Sequence, residues 1–178
     1  MRDYAHFWQW CVTLWRAPRV EQPLLQLQAT YDIVILEVLM AAWLATQGYV
    51  LNTRVLAAMR STSERWVAGV VVPLREQRVA WRTEPDAEAC RGAIKNLELQ
   101  AEKVLGELLY SAAVEGLTTQ HGRDAAGQGL EPFSGIATQI LVGNLSLILA
   151  HVQPSFEAAE LEKLAALLMA SSDSVNSD

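Results

Sequence analysis

A carboxylate in an apolar stretch is the first feature of this sequence that could support chemistry. Glu37 is the only charged residue between Asp32 and Gly48, where nearly every other side chain is aliphatic or aromatic. A buried carboxylate has a raised pKa or needs a cationic partner, and such groups cluster at active sites. Glu37 could therefore act as a general acid or base, or as the counter-ion of a cationic ligand. We favour the alternative, an ion pair with one of the chain's arginines or a partly exposed helix edge.

Three arginines after Pro73 form a second candidate site. Arg75, Arg78 and Arg82 have the i, i+3, i+7 spacing of one helical face. Because arginine binds carboxylate and phosphate groups in a bidentate manner, this face could bind a protein partner or nucleic acid. It could also pair within the chain, which is the interpretation that we favour. The acidic candidates for internal pairing are Glu98, Glu102 and Glu107.

The charge of the chain is unevenly distributed. Residues 1–82 carry nine arginines and no lysine against six acidic residues, whereas the remaining residues carry five basic and fourteen acidic ones. The whole chain has a net charge of −6 and a pI of about 5.1. Such asymmetry steers the approach of partners, while the acidic total argues against a general nucleic-acid-binding protein.

The first predicted helix, residues 4–16, holds more aromatic side chains than one buried stripe can accommodate. Phe7, Cys11 and Leu14 share a face, and Trp10 lies outside it. Because tryptophan is enriched at binding hot spots, Trp10 is a candidate contact for a protein partner. The alternative, which we slightly favour, is a wide core that encloses this helix on several sides.

Other residue types used in catalysis form no recognisable site. His6, His121 and His151 lack the spacing of metal ligands, and no phosphate-binding glycine loop is present. The segment His121-Gly-Arg-Asp124 is similar to a kinase catalytic loop but lacks the accompanying kinase elements. We therefore expect no metal and no cofactor, and we consider an enzyme the less favoured class.

The element that organises the chain is the apolar stretch itself. Asp32 is predicted to cap the N-terminus of its helix, and Gly48 to end it in the left-handed conformation. A helix that is apolar on all sides must be surrounded by protein, and Glu37 disfavours a membrane span. We predict an all-α fold, a single-domain bundle of about seven or eight helices around this buried central helix. The domain is predicted to cover residues 1–170, followed by a disordered tail, residues 171–178.

Two further sequence motifs predict the starts of the helices on which the three arginines and their acidic candidates lie. Ser61-Thr-Ser-Glu64 matches a capping box and predicts a helix that begins at Ser61, runs to about residue 82 and is interrupted at Pro73. Thr83-Glu-Pro-Asp86 opens a long helix without a breaker before Gly116, and a loop is predicted over residues 117–132.

The predicted long helix has a repeating apolar pattern. Alternating spacings of four and three are typical of a helix that packs along another helix. The residues are Cys90, Ile94, Leu97, Ala101, Val104 and Leu108. At about 1.5 Å per residue the helix would span roughly 46 Å, more than a compact domain of this size needs. One end should therefore protrude or pair, and a homodimer is one way to cover it.

The cysteines and the N-terminus indicate a cytoplasmic protein. Cys11 and Cys90 lie far apart within apolar helical patterns, so we expect two buried free thiols. The N-terminal segment lacks the features of a signal peptide. We expect no membrane segment.

Short segments along most of the chain occur in the order typical of a known family. They are Phe7-Trp8, Leu27-Gln28 with Asp32, Trp43-Leu44-Ala45 with Gly48, Trp66, Val72-Pro73-Leu74-Arg75, Arg91, Ile94-Lys95, Glu98-Leu99 and Asn144-Leu145. On these residues the chain resembles an uncharacterised proteobacterial family, defined as a domain of unknown function. It departs from the family at Val34, where a polar residue is usual, and at Glu37, where an apolar one is usual. The resemblance implies a helical fold and no particular activity.

Three functions are compatible with the sequence. The leading hypothesis is a non-enzymatic interaction or adaptor protein that presents Trp10 and the arginine face to a protein partner. The first alternative is an RNA- or ribosome-associated factor that uses the arginine face. The second is a small-ligand binder or enzyme built around Glu37.

Overall fold

The computed structural model describes residues 3–17, 19–121, 134–150 and 157–175. Within these ranges the regular structure is helical and contains no strand, which confirms the predicted all-α fold. The α-helices are α1 (Tyr4–Trp15), α2 (Glu21–Tyr31), α3 (Ile35–Thr46), α4 (Thr53–Trp66), α5 (Val72–Ala80), α6 (Glu88–His121), α7 (Ser134–Leu149) and α8 (Ala158–Val175). A π-helical turn (Val67–Val71) joins α4 to α5, and two 3₁₀ turns (Trp81–Thr83 and Pro85–Ala87) join α5 to α6.

Helix α3 is the central helix that the apolar stretch predicts. Nine consecutive residues, from Glu37 to Ala45, are buried, and α3 contacts α2, α6, α7 and α8. The turn that terminates α3 contains Gly48, which has a φ of 78°. The N–H groups of Gly48 and Tyr49 donate to the carbonyls of Ala45 (3.0 Å) and Leu44 (2.8 Å). This is the Schellman arrangement, in which a left-handed residue satisfies the last carbonyls of a helix.

The predicted role of Asp32 as the N-cap of α3 is wrong. Asp32 is left-handed, with a φ of 53°, and ends α2, where its N–H donates to the carbonyl of Gln28 (2.9 Å). Helix α3 begins only at Ile35, after the extended residue Val34. Aspartate is one of the few residues other than glycine that visit the left-handed region. The same residue type therefore suits both the end of one helix and the start of the next.

The predicted capping box at Ser61 does not form. Helix α4 runs through this position, and Ser61 Oγ donates to the carbonyl of Ala58 (3.0 Å) within the helix. The interruption predicted at Pro73 is present as the π-helical turn, in which the Val72 N–H donates to the carbonyl of Val67. Because proline has no N–H and crowds the preceding turn, a local change of hydrogen-bond register lets the helix continue.

Helix α6 continues beyond the predicted break at Gly116 and ends at His121. Gly116 allows close packing, because a Cβ there would lie 3.0 Å from Val55 Cγ2. The rest of the predicted loop, residues 122–132, lies outside the described residues.

The predicted apolar seam of α6 is only partly buried. Cys90 is exposed, contrary to prediction, and Leu97 and Val104 are 51% and 39% exposed. Ala101 is buried as predicted, but the covered face then follows Leu105 and Leu109, each one position after the predicted Val104 and Leu108. It continues with Ala112 and Ala113. A spacing of four and three fits either stripe, so the sequence pattern does not decide which one α4 covers.

The predicted disordered tail, residues 171–178, is partly helical. Helix α8 extends to Val175, so the first five residues of the segment predicted to be disordered are helical. Ser172 is 1% exposed and lies on the inward face of α8, where a small polar side chain has a hydrogen-bond partner. Residues 176–178 lie outside the described residues. Across the ranges described, no helix combines the length and apolar character needed to cross a bilayer.

Candidate interaction surface

The α5–α6 hairpin, which we define as residues 72–97, is poorly covered by the rest of the chain. No residue in this range is buried, whereas Val71 before it and Glu98 after it are. Among the described residues, four of the six exposed large apolar side chains lie on α5 and α6. They are Val79 and Leu97 within the hairpin, and Leu99 and Val104 further along α6. Since apolar burial is the main source of stability, other contacts must position the hairpin.

An ion-pair network joins the two helices of the hairpin. Glu98, with a side chain that is 7% exposed, lies at its centre. Its Oε1 accepts hydrogen bonds from Arg75 Nε (3.0 Å) and Arg78 Nη2 (3.2 Å), and its Oε2 accepts one from Arg78 Nε. Arg75 Nη2 also donates to Glu102 Oε1 (3.0 Å). Two arginines of α5 are thereby bound to two carboxylates of α6.

The two carboxylates of this network have opposite pKa shifts. Burial acts to raise the pKa of Glu98, but the hydrogen bonds and charges of Arg78 and Arg75 together outweigh it and lower the pKa. Burial raises the pKa of Glu102, and the single contact with Arg75 does not compensate. Hydrogen bonding to Glu98 raises the pKa of Arg78. Glu98 is therefore the stable anionic centre that positions both arginines.

The three arginines of the predicted face differ in whether they pair within the chain. Arg75 and Arg78 pair internally, as favoured from the sequence, and their side chains remain 30% and 33% exposed. Arg82 is exposed, and it has no hydrogen bond or ion pair with the described residues. Of the three arginines predicted to bind a partner, only Arg82 has an unengaged guanidinium.

A cleft lies beside the network, between α5 and the first turns of α6. Its volume is about 280 Å³, and it is lined by Arg78, Glu88, Arg91, Gly92 and Lys95. The Nε atom of Arg91 is buried without a hydrogen-bond partner. Within the described chain, Arg91 and Lys95 form no ion pair. Neither residue was predicted to bind a partner, although their i, i+4 spacing indicates a shared helical face.

Trp10 is not available to a partner, contrary to prediction. It is 3% exposed, and its Nε1 donates to Ser172 Oγ (3.1 Å). Its ring lies 5.5 Å from that of Trp43, measured between centroids. The prediction is wrong because α8 packs on α1, so the core encloses this helix on more than the Phe7 face.

Glu37 forms the ion pair that the sequence favoured over a catalytic role. Arg60 Nε and Nη2 donate to Glu37 Oε2 at 3.2 and 3.1 Å, and Nη2 also donates to the carbonyl of Ile148 (3.1 Å). The Glu37 side chain is 6% exposed. The pair joins α3, α4 and α7. In the described part of the chain, no group of three His, Cys, Asp or Glu residues could hold a metal ion.

Asn144 is a buried polar residue whose role the sequence did not reveal. Its Oδ1 accepts from the Leu51 N–H (2.7 Å), and its Nδ2 donates to the carbonyls of Ala41 (3.1 Å) and Tyr49 (3.2 Å). Asn144 is fully buried, so its side-chain amide needs partners within the protein, and these three bonds supply them. Its role is to join α7 to the segment between α3 and α4.

Comparison with known proteins identifies a family. The family described as "Protein of unknown function (DUF2390)" matches residues 6–109, which is more than half of the chain. This match confirms the expected resemblance to an uncharacterised family, and it includes the whole α5–α6 hairpin. No curated protein sequence matches the chain, and no solved structure matches it.

Proposed function

The chain belongs to this family of proteins of unknown function, and from that premise we propose that it is a non-enzymatic adaptor that binds a protein partner through the α5–α6 hairpin. The observation that carries the proposal is the uninterrupted lack of burial over residues 72–97. The hairpin also carries Val79 and Leu97, which are 55% and 51% exposed. Large apolar side chains next to polar groups are typical of interaction sites.

The ion-pair network supports this role because it gives the hairpin a defined geometry without covering its outer surface. Glu98 and Glu102 bind the inward-facing arginines of α5. A partner would then meet two helices that are already positioned, which reduces the entropy lost on binding.

The RNA-associated alternative is weaker in this geometry. Arg75 and Arg78 are neutralised by Glu98 and Glu102, so two of the three arginines of the predicted face bring no net charge to a phosphate backbone. The small-ligand alternative is weaker as well, because Arg60 binds Glu37.

We place this adaptor in the cytoplasm. Cys11 is buried and Cys90 is exposed, and neither forms a disulfide. An exposed free thiol is compatible with a reducing compartment, which supports this placement.

Charge insertion on the exposed apolar residues tests the proposal. The tagged full chain is incubated with lysate of its native cell, with and without nuclease, and captured proteins are compared among the parent, Val79→Asp, Leu97→Asp and Val50→Asp. Val50 is 61% exposed and lies outside the hairpin, so Val50→Asp is the matched control. We expect each hairpin variant to lose about tenfold or more of a discrete partner, and the control to capture as the parent does.

Two results would overturn the proposal. Equal capture by the parent and both hairpin variants would show that the hairpin is not the interaction element. Capture that disappears on nuclease treatment would favour the RNA-associated alternative. Size-exclusion chromatography of the purified chain shows whether the captured partner is a second copy of this chain.

A further inference from the structure

We propose that the cleft lined by Arg78, Glu88, Arg91, Gly92 and Lys95 binds a carboxylate of the protein partner, an Asp or Glu side chain within an acidic segment. This inference rests on the proposed function, because it names the chemical group that the hairpin recognises. It adds Arg91 and Lys95 to the binding surface.

The missing acceptor of Arg91 is the first argument. Its Nε–H is buried without a hydrogen-bond partner, although buried charged donors are almost always paired in folded proteins. The guanidinium also has no ion pair in the described chain. Because the Arg91 side chain as a whole is only partly buried, a change of its rotamer would let an acceptor from outside reach the Nε–H and complete the site.

The charges around the cleft indicate an anion with a single charge. Arg78 is already paired with Glu98, so it contributes spare N–H donors but little net charge. The remaining side chains are Arg91 and Lys95, opposed by Glu88. They leave an excess of one positive charge, which one carboxylate neutralises.

The geometry of the donors favours a carboxylate over a phosphate group. The Nε–H and one Nη–H of an arginine form a planar fork that matches the two oxygens of a carboxylate. A phosphate monoester carries about −1.5 to −2 charges at pH 7, and it would face the carboxylate of Glu88 with its charge only partly neutralised. The cleft volume of about 280 Å³ suits a short acidic side chain rather than a large ligand.

The Arg91 Nε–Hε group can be observed directly by NMR in the ¹⁵N-labelled full chain. Its cross-peak is assigned by its loss in Arg91→Gln. An acetylated and amidated triglutamate peptide is titrated, with a triglutamine peptide, inorganic phosphate and sodium chloride as separate arms. We expect the Arg91 signal to shift to saturation with triglutamate, and to change little with triglutamine or with salt at matched ionic strength.

Two variants test which side chains bind the peptide. Lys95→Gln should weaken triglutamate binding by about tenfold or more because it removes the excess charge. Arg16→Gln is the matched control, since Arg16 is an exposed arginine at the end of α1. It should leave the affinity unchanged.

The outcomes separate this inference from the adaptor proposal. No saturable shift with triglutamate, or tighter binding of phosphate than of triglutamate, would overturn the carboxylate site. If Val79→Asp and Leu97→Asp still lose their partner in that case, the adaptor proposal stands with a different recognised group. Triglutamate binding that Lys95→Gln does not weaken would also contradict the site as described.

Discussion

At the scale of single residues, buried polar side chains connect helices that are distant in sequence. Glu37 and Arg60 join α3, α4 and the carbonyl of Ile148 in α7. Asn144 joins α7 to α3 and to the segment that follows α3, and Trp10 joins α1 to α8. Each contact satisfies a polar group that burial would otherwise leave unpaired. These residues determine how the helices meet.

The burial of Trp10 predicts a structural rather than a binding phenotype. Trp10→Ala removes a large core side chain and the hydrogen bond to Ser172. We expect the free energy of unfolding to fall by about 3–5 kcal/mol, measured by urea denaturation. The exposed neighbour Gln9 provides the control, since Gln9→Ala should change stability by less than about 0.5 kcal/mol. An unchanged denaturation midpoint for Trp10→Ala would contradict the burial of this residue.

The opposite pKa shifts of Glu98 and Glu102 predict different effects of their amide variants. Because the pKa of Glu98 is lowered, its contribution to stability is fully present above its ordinary pKa of about 4.5 and is lost as the pH falls through its lowered pKa. Glu98→Gln should therefore destabilise the chain by about 1–3 kcal/mol at pH 7, with a smaller difference from the parent in strong acid. The value is below that of a fully buried pair because both arginines are partly exposed.

Glu102→Gln is the matched variant in the same network. Because burial raises the pKa of Glu102, its ionised form carries a cost that increases as the pH rises through that pKa. The amide removes this cost together with one contact to Arg75. Glu102→Gln should therefore destabilise the chain less than Glu98→Gln at neutral pH. The reverse order in urea denaturation would contradict the assignment of Glu98 as the anionic centre.

For single residues, the sequence predicted the kind of interaction but not the partner. Glu37 could be expected to pair with an arginine because its own helix offers no other charge. Its partner Arg60 could not be identified, since the contact depends on where α4 lies in the folded chain. For the same reason, the burial of Trp10 and the hydrogen bonds of Asn144 could not be predicted. Their partners Ser172 and Leu51 lie far along the chain.

At the scale of elements, two glycines within helices differ in how closely a neighbouring helix approaches them, and the sequence does not show this difference. Gly116 lies where α6 approaches α4, and a Cβ there would meet Val55. Gly143 lies in α7 with nothing within 4 Å of the corresponding position.

These two glycines give opposite predictions for substitution by alanine. Gly116→Ala should destabilise the chain by about 1–3 kcal/mol through overpacking. Gly143→Ala should stabilise it by about 0.5–1 kcal/mol, because alanine is the better helix former. Thermal unfolding of both variants checks the sign of each change. Stabilisation by Gly116→Ala would show that α4 and α6 do not approach as closely as described.

Helix boundaries were predictable where one residue type has one dominant use. Gly48 ends α3 as expected, and the disturbance at Pro73 takes the form of a π-helical turn. Asp32 and Ser61 were assigned incorrectly, because each can serve a helix in more than one way. Asp32 closes α2, and Ser61 lies in the middle of α4.

At the scale of the whole molecule, the structure combines a bundle core around α3 with a hairpin that has no buried residues. Local stability follows apolar contact density, so the two parts should open with different free energies. We expect backbone amides of residues 74–96 to exchange with solvent at least about tenfold faster than those of residues 38–45. Native-state hydrogen exchange measures both sets in one experiment. Equal protection would show that the hairpin is as stably held as the core.

The all-α class and the central helix followed from the sequence because a helix without a polar face must be surrounded by protein or lipid, and Glu37 disfavours lipid. The interaction surface did not follow in the same way. The four-and-three spacing of α6 indicated that one stripe would be covered, and it did not indicate that Leu97 and Val104 would remain exposed. Exposure depends on which neighbour packs where, and that is a property of the assembled chain.

Site-specific photo-crosslinking in the native cell tests the central claim, that the hairpin binds a protein partner, most directly. A photoreactive phenylalanine analogue is placed at Val79 or Leu97 in the hairpin, and at Leu25 or Val50 as exposed apolar control positions. We expect a discrete crosslinked protein from both hairpin positions and none from the control positions. Crosslinks that are equally frequent at all four positions, or absent from the hairpin, would contradict it.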